Sequence, residues 1–410
     1  MGKLLQINPV IRENTSTGRI MRMIGDYAMS DGWESYIAYS KGRDGVPEHS
    51  SQLIPIGNKW DVALHWLATR LFDAHGLASK KATRAFIKEI QRINPDVIHI
   101  HNIHGYFLNY PLLFKYLQAS GKPVVWTTHD CWLYTGHCYH YDAVKCQRWK
   151  TLCHHCPQKR AFPSSWLLDG SSRNYRAKQT AFCSLQNLTL VNVSNWMRNQ
   201  MQESFLKDKH FSLVRNGIDL QVFTPKERPS VLRKYRVDAS KIILLAITSV
   251  WTAEKGLEDL IWLSKHIPSN QQLVLVGKMN QSQSESVPRG VITIGRTESM
   301  KELVALYSAA GVLVNPTYQD NYPTVNMEAL ACGTPVVTYQ TGGSTEMLGP
   351  QTGFAVPQGN RDALLVATQK ALTLNRESCV LWARAHFDQN KSWNRYLQLY
   401  NKLITEKKTL

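Results

Sequence analysis

Short apolar runs alternate with amphipathic stretches along the first half of the chain. Residues 4–7, 35–39, 97–100 and 124–127 read as strands, followed by 188–193 and 210–214. A loop of small polar residues, 14–19, leads into a helix with Ile20, Met23 and Ile24 on one face. Residues 81–93 and 112–118 also have helical spacing. The strand runs are almost continuously apolar, as expected for a parallel sheet covered on both faces. The second half restarts this rhythm. Strands are expected at 242–247, 272–276, 291–294, 312–315 and from 335, with helices at 257–265, 300–309 and 324–330. Between the halves, Asn216-Gly217-Ile218-Asp219 followed by Pro225 and Pro229 marks a turn-rich hinge. The predicted architecture is α/β: two doubly wound, Rossmann-like domains facing a central cleft. The first covers 1–215, a linker 216–240 and the second 241–385, with a C-terminal helix, 386–410, returning to the first domain. Ligands in such sheets bind beyond the carboxyl ends of the strands.

Size and composition narrow the class. At 410 residues the chain is about twice a typical domain. Hydrophobic residues at 43 % and charged residues at 19 % fit a folded globular protein. The longest strongly apolar run, 242–251, is interrupted by Thr248 and Ser249. It falls short of the roughly 20 residues of a spanning helix. The first residues lack the apolar core of a signal peptide, so a cytoplasmic protein is expected. The net charge is +17, of which +12 falls in residues 1–215. Such an excess points to anionic partners: nucleic acid, anionic lipid or phosphorylated substrates.

The most informative stretch runs from Asp320 to Pro335. It follows the strand 312–315 and opens a helix at about Pro323, where proline suits the first turn. Free backbone N–H groups at such a start bind anions. Glu328, about 1.5 turns later, can accept two hydrogen bonds from a ribose diol. The two acids, Asp320 and Glu328, stand eight residues apart. This stretch resembles the carboxylate signature of glycosyltransferase family 4, retaining enzymes of GT-B fold, and is closest to its exopolysaccharide and capsule branch. Gly256 after Lys255, residues 216–219, Thr341-Gly342-Gly343-Ser344-Thr345-Glu346 and His129-Asp130 after a strand resemble the same family in the same order.

The resemblance implies roles for these positions. Lys255 would hold the donor diphosphate, Glu328 the nucleotide ribose, and Asp320 the donor sugar's hydroxyls. His129 would hydrogen-bond near the reaction centre, giving His129, Asp320 and Lys255 as catalytic candidates. Asn321, Tyr322, Pro323 and Thr324 would line the donor site. Gly18 and Arg19 would set a flexible backbone and a cation near phosphate. Two positions depart from the family pattern: Asp320 replaces the usual Glu, and Val250 the usual Arg. Phosphate charge then falls to Lys255 and the helix start, with Arg296 as a further candidate. No Asp-x-Asp triplet occurs, so no catalytic metal is expected. The implied activity is transfer of a hexosyl group from a UDP- or GDP-sugar to a glycan, carried on polyprenyl diphosphate, at an anionic membrane surface.

Four cysteines are spaced Cys138-x7-Cys146-x6-Cys153-x2-Cys156 within a Cys-rich insert of about 131–160. That spacing suits one structural Zn²⁺. The insert shows no apolar periodicity able to bury it, so a metal would supply its order. Two other functions share parts of the pattern. A zinc-containing nucleic-acid-binding protein fits charge and thiols but leaves the two-domain pattern unexplained, so no nucleic acid is expected. A sugar-nucleotide epimerase would share the GT-B fold and need no acceptor.

Overall fold

Among the described residues, thirteen strands form two wholly parallel sheets. The first contains β1 (Lys3–Ile7), β2 (Glu34–Tyr39), β3 (Gln52–Pro55), β4 (Val97–Ile100), β5 (Val124–Thr128), β6 (Leu188–Asn192) and β7 (His210–Leu213), in the order β3-β2-β1-β4-β5-β6-β7. The second contains β8 (Ile242–Val250), β9 (Gln271–Lys278), β10 (Ile292–Ile294), β11 (Val312–Asn315), β12 (Val336–Tyr339) and β13 (Gly353–Val356), in the order β10-β9-β8-β11-β12-β13. This computed structural model describes residues 2–12, 16–42, 51–226 and 229–409. The chain divides into two units, Met1–Arg215 with Asn390–Leu410, and Asn216–Gln389. Residues 216–240, read as a linker, belong to the second unit and carry the helix Pro229–Lys234.

Neighbouring residues of each strand serve opposite faces. In the first unit Leu5, Ile98 and Val124 join the core on one side, while Leu4, Val97 and Val125 join another core on the other. The helix Gln389–Thr409 closes that second face with Trp393, Tyr396 and Tyr400. Its two tyrosines also satisfy buried polar groups of the sheet: Tyr396 shares a 2.8 Å hydrogen bond with Thr127, and Tyr400 one of 2.7 Å with His99. Each sheet reverses its winding once, between β1 and β4 and between β8 and β11. The crevice at such a reversal is where doubly wound sheets hold ligands.

Two local expectations change. Residues 14 and 15 lie outside the described residues, but Ser16–Ser30 is helical throughout. Gly18 and Arg19 therefore belong to a helix's first turn rather than to a flexible loop. The zinc centre expected at Cys138, Cys146, Cys153 and Cys156 is also not supported. All eight cysteines are thiols, and among the described residues no group of three or more His, Cys, Asp or Glu side chains is placed to hold a metal ion.

The order of the insert comes from packing that periodicity does not reveal. Trp132, Tyr134, Tyr141 and Trp149 are buried and join the main core with Cys138 and Cys153. Tyr141 and Trp149 stack at 4.9 Å. The buried Lys178 amine bonds the carbonyls of Trp132 and Thr135 at 2.5 and 2.9 Å, and burial lowers its pKa to about 7. His137 pairs with Asp73 at 2.7 Å in full burial, fixing the insert to the end of the helix Lys59–Phe72.

Candidate functional site

In the second unit the chemistry gathers where the winding reverses. β8 runs into a short turn, Ala253–Lys255, and β11 runs into residues 316–320. The two loops touch at Gly256, which has φ +73°; a Cβ there would overlap the Pro316 carbonyl. That closeness brings the Lys255 ammonium to 2.9 Å from an Asp320 carboxylate oxygen, with the Gln319 carbonyl at 3.4 Å. Both side chains keep access to solvent. The other Asp320 oxygen accepts the Tyr322 backbone N–H at 3.3 Å.

The helix Thr324–Ala331 starts immediately afterwards, with Pro323 at its cap and no side-chain cap bond. Its first N–H groups have no intrahelical acceptors, and the helix dipole adds positive potential there. Asn321, Tyr322 and Pro323 are buried, so the Lys255 and Asp320 side chains are the more accessible groups of this corner. Glu328 is buried, and the Tyr307 hydroxyl donates to it at 2.8 Å. A carboxylate oxygen accepts more than one hydrogen bond, so Tyr307 can orient the group while leaving acceptor capacity.

The loop after β12 supports Asp320 from behind. Gly343 N–H donates to the Asn321 carbonyl at 3.1 Å, and Gly342 sits at φ +52° against the Asp320 carbonyl. Beneath this loop the buried Asp259 carboxylate accepts from Tyr318 at 2.7 Å, Tyr339 at 2.9 Å and Arg361 at 2.5 Å. Val250, which stands where the resemblance places an arginine, is half exposed at the end of β8. Arg296 is exposed. Lys255, Asp320 and Glu328 line neither the concavity of about 990 Å³ beside Lys226 and Met300 nor that of about 590 Å³ beside Thr252 and Trp262.

His129 lies in the first unit, beyond β5, at the end of a polar chain. Its Nε2 is 3.1 Å from His101 Nδ1, and His101 Nε2 is 3.0 Å from the Gln6 amide oxygen, across the β1/β4 reversal. Next to it, His104 and Asp130 pair at 2.6 Å, and the Trp132 N–H holds the other Asp130 oxygen at 2.9 Å. Burial would raise the Asp130 pKa, but the His104 charge and these bonds outweigh it and lower it. Burial lowers His129 to about 4 despite Asp130, so its ring is neutral at pH 7 and suits hydrogen bonding. Sequence reasoning missed His101, His104, Tyr307 and the Asp259 network. Their partners lie 21 or more residues away in the chain, and only the packing of separate strands, helices and loops brings them together.

This histidine group predicts acid sensitivity. Burial lowers His65 to about 4 and His75, His99 and His101 well below the usual value. Between about pH 6.5 and 4 the unfolded chain therefore binds protons that the folded chain does not. Stability present above pH 6.5 is lost as pH falls through that window. His137 acts oppositely: burial lowers its pKa, but the Asp73 bond and charge raise it overall. Burial raises Asp142 to about 6, which also acts oppositely; two groups do not offset five. Urea unfolding followed by tryptophan fluorescence should show the midpoint falling from pH 7.5 to pH 5; an unchanged midpoint would contradict this balance.

The sequence model of Glycosyltransferase Family 4 matches residues 18–222, and that of Glycosyl transferases group 1 matches residues 231–389. WcaC of Escherichia coli K12, named for a glycosyl transfer step in colanic acid biosynthesis, is 23 % identical over 378 residues, covering 87 % of each chain. The Campylobacter jejuni N,N'-diacetylbacillosaminyl-diphospho-undecaprenol alpha-1,3-N-acetylgalactosaminyltransferase is 25 % identical over 52 % of this chain and 60 % of its own length. Among solved structures, sucrose-phosphate synthase from Thermosynechococcus elongatus superposes with a TM-score of 0.72 at 19 % identity, over 99 % of this chain and 100 % of that one. Anabaena HepE in complex with UDP and glucose gives 0.66 at 14 % identity, over 98 % and 100 %. The shared fold is GT-B.

Proposed function

Because this chain belongs to glycosyltransferase family 4, we propose that it transfers a hexosyl group from a UDP- or GDP-sugar to a glycan acceptor on a polyprenyl diphosphate, with retention of anomeric configuration, in cell-surface polysaccharide synthesis. The observation that carries this proposal is the Lys255–Asp320 pair at the β8/β11 reversal, set directly before a helix start. A cation beside a helix N-terminus suits a diphosphate. Lys255 takes the phosphate charge and stabilises the leaving diphosphate as it builds negative charge. Glu328, oriented by Tyr307, accepts the ribose hydroxyls. Asp320 faces the donor sugar, where positive character develops at the anomeric carbon. His129, neutral at pH 7, keeps the hydrogen-bonding role that the family resemblance implies.

With lysine and helix start supplying the positive charge and no Asp-x-Asp triplet in the chain, no metal ion is assigned to the transfer. The UDP-bound neighbour supports a nucleotide-sugar donor. The relative named for a diphospho-undecaprenol substrate supports a lipid-linked acceptor; its use at a membrane surface from the cytoplasmic side is part of the proposal.

The test is a panel of UDP- and GDP-sugars, scored by nucleoside diphosphate release with and without lipid-linked acceptors. Release that depends on acceptor is expected; an isomerised sugar nucleotide formed without acceptor would instead identify an epimerase. NMR of the product should show the donor's anomeric configuration, and an inverted product would refute retention. Glu328→Ala should raise the donor KM by about tenfold or more, the scale of losing hydrogen bonds to a charged group, with a smaller change in kcat. An unchanged KM would remove Glu328 from the donor site.

A further inference from the structure

The helix Lys59–Phe72 is packed with its apolar residues outward. It buries only His65 and Thr69, and the buried Asp73 follows at its end. These polar groups are satisfied inside: His65 bonds Ser79 at 2.8 Å and the Gly76 N–H at 3.0 Å, and Asp73 bonds His137. Trp60, Leu64 and Leu67, at i, i+4 and i+7, form the opposite stripe. Alongside lies the segment 162–168. The Trp166 N–H donates to the Arg70 carbonyl at 2.7 Å and the Leu168 N–H to the Leu71 carbonyl at 3.3 Å, and Trp166 meets Trp66 edge-on at 5.5 Å. Trp60, Leu64, Leu67, Trp166, Leu167 and Leu168 are between 43 % and 79 % exposed. A contiguous apolar face of this kind marks an interaction site.

Cations border this face. The Arg70 guanidinium lies 5.1 Å from the Trp66 ring and 5.8 Å from the Trp166 ring. The Lys159 amine bonds the Leu167 carbonyl at 3.1 Å, and Arg173 the Phe72 carbonyl at 2.8 Å. The neighbouring acids are turned to backbone: Asp61 accepts from Asn58 N–H, and Asp169 from the N–H groups of Cys156 and Ser171.

We propose that this face, the outer stripe of Lys59–Phe72 with the segment 162–168, docks the protein on an anionic lipid bilayer. Indoles and leucines beside arginine and lysine match the interfacial zone, with apolar rings at the acyl boundary and cations at the headgroups. A second copy of this chain is a poorer occupant. A self-paired patch would gather two copies each of Arg70, Lys159 and Arg173 around one interface. The assignment deepens the lipid-linked-acceptor proposal and rests on it for why a bilayer is the partner; its test uses no donor sugar.

Full-length protein is sedimented with phosphatidylcholine vesicles with and without phosphatidylglycerol, at low and high salt. The protein should bind the anionic vesicles, less at high salt. Leu64→Glu combined with Leu167→Glu should lower that affinity about 10²-fold, since each lost Leu contact is worth about a factor of ten. Both positions are exposed, so the variant should keep its unfolding midpoint and its affinity for nucleoside diphosphate. No binding by the parent protein, or equal binding by the variant, would overturn the assignment. A parent dimer in analytical ultracentrifugation that the variant dissociates would also overturn it, giving the face to a second copy. Vesicle binding without any sugar transfer would leave this surface standing and remove the enzymatic proposal instead.

Discussion

Lys255→Ala should lower sugar transfer by about 10²-fold or more, the scale of a lost charge contact to a developing oxyanion. Departure of the nucleoside diphosphate concentrates charge on its terminal phosphate, and the chain has valine at position 250 where a second cation would share that load. Folding should hardly change. The Lys255–Asp320 pair is about a third and a quarter exposed at its two ends, and such pairs contribute less than about 1 kcal/mol. A steep fall in kcat with an unchanged urea midpoint is therefore expected. Lys255→Arg should recover only part of the rate, because a planar guanidinium does not reproduce a compact ammonium between Asp320 and the Gln319 carbonyl. Full activity in the alanine variant would remove Lys255 from the mechanism.

Gly342→Ala should be nearly as damaging, for a different reason. At φ +52° a side chain costs about 1 kcal/mol in backbone terms alone. Its Cβ would also overlap the Asp320 carbonyl, so residues 320 and 321 must move. Those residues hold the carboxylate facing Lys255 and lead into the helix start. Donor KM should rise about tenfold or more, and stability should drop by about 1–3 kcal/mol. Gly290→Ala is the matched control. Gly290 has φ +94° but open space around its Cβ position, so only the backbone cost applies and activity should persist. Equal effects of the two substitutions would mean that the contact with Asp320 is unimportant.

What could be seen in the chain beforehand followed physical locality. Runs such as Val97–Ile100 and Val312–Asn315 are largely buried, so their nearly continuous hydrophobicity announces them. Asp320, the helix start and Glu328 fall within one short segment, and their spacing carries the site in outline. The helix Lys59–Phe72 escaped the same logic because its apolar stripe faces outward and its buried residues are His65 and Thr69. The burial of the Cys-rich insert is not legible in the chain because Tyr141 and Trp149 bury themselves from irregular turns, with no period to mark them. The His101–His129 contact needed the register of β4 against β5, in which Ile100 pairs with Trp126. No local pattern encodes that.

Calorimetric titration with UDP and with GDP tests the central claim most directly, that the second unit holds a nucleotide-sugar donor at Lys255, Asp320 and Glu328. One nucleoside diphosphate should bind the parent protein, bind Lys255→Ala about tenfold or more weakly, and bind Glu328→Ala weakly or not at all. Equal affinity for the parent and both variants, or no binding of either nucleotide to the parent, would contradict the account.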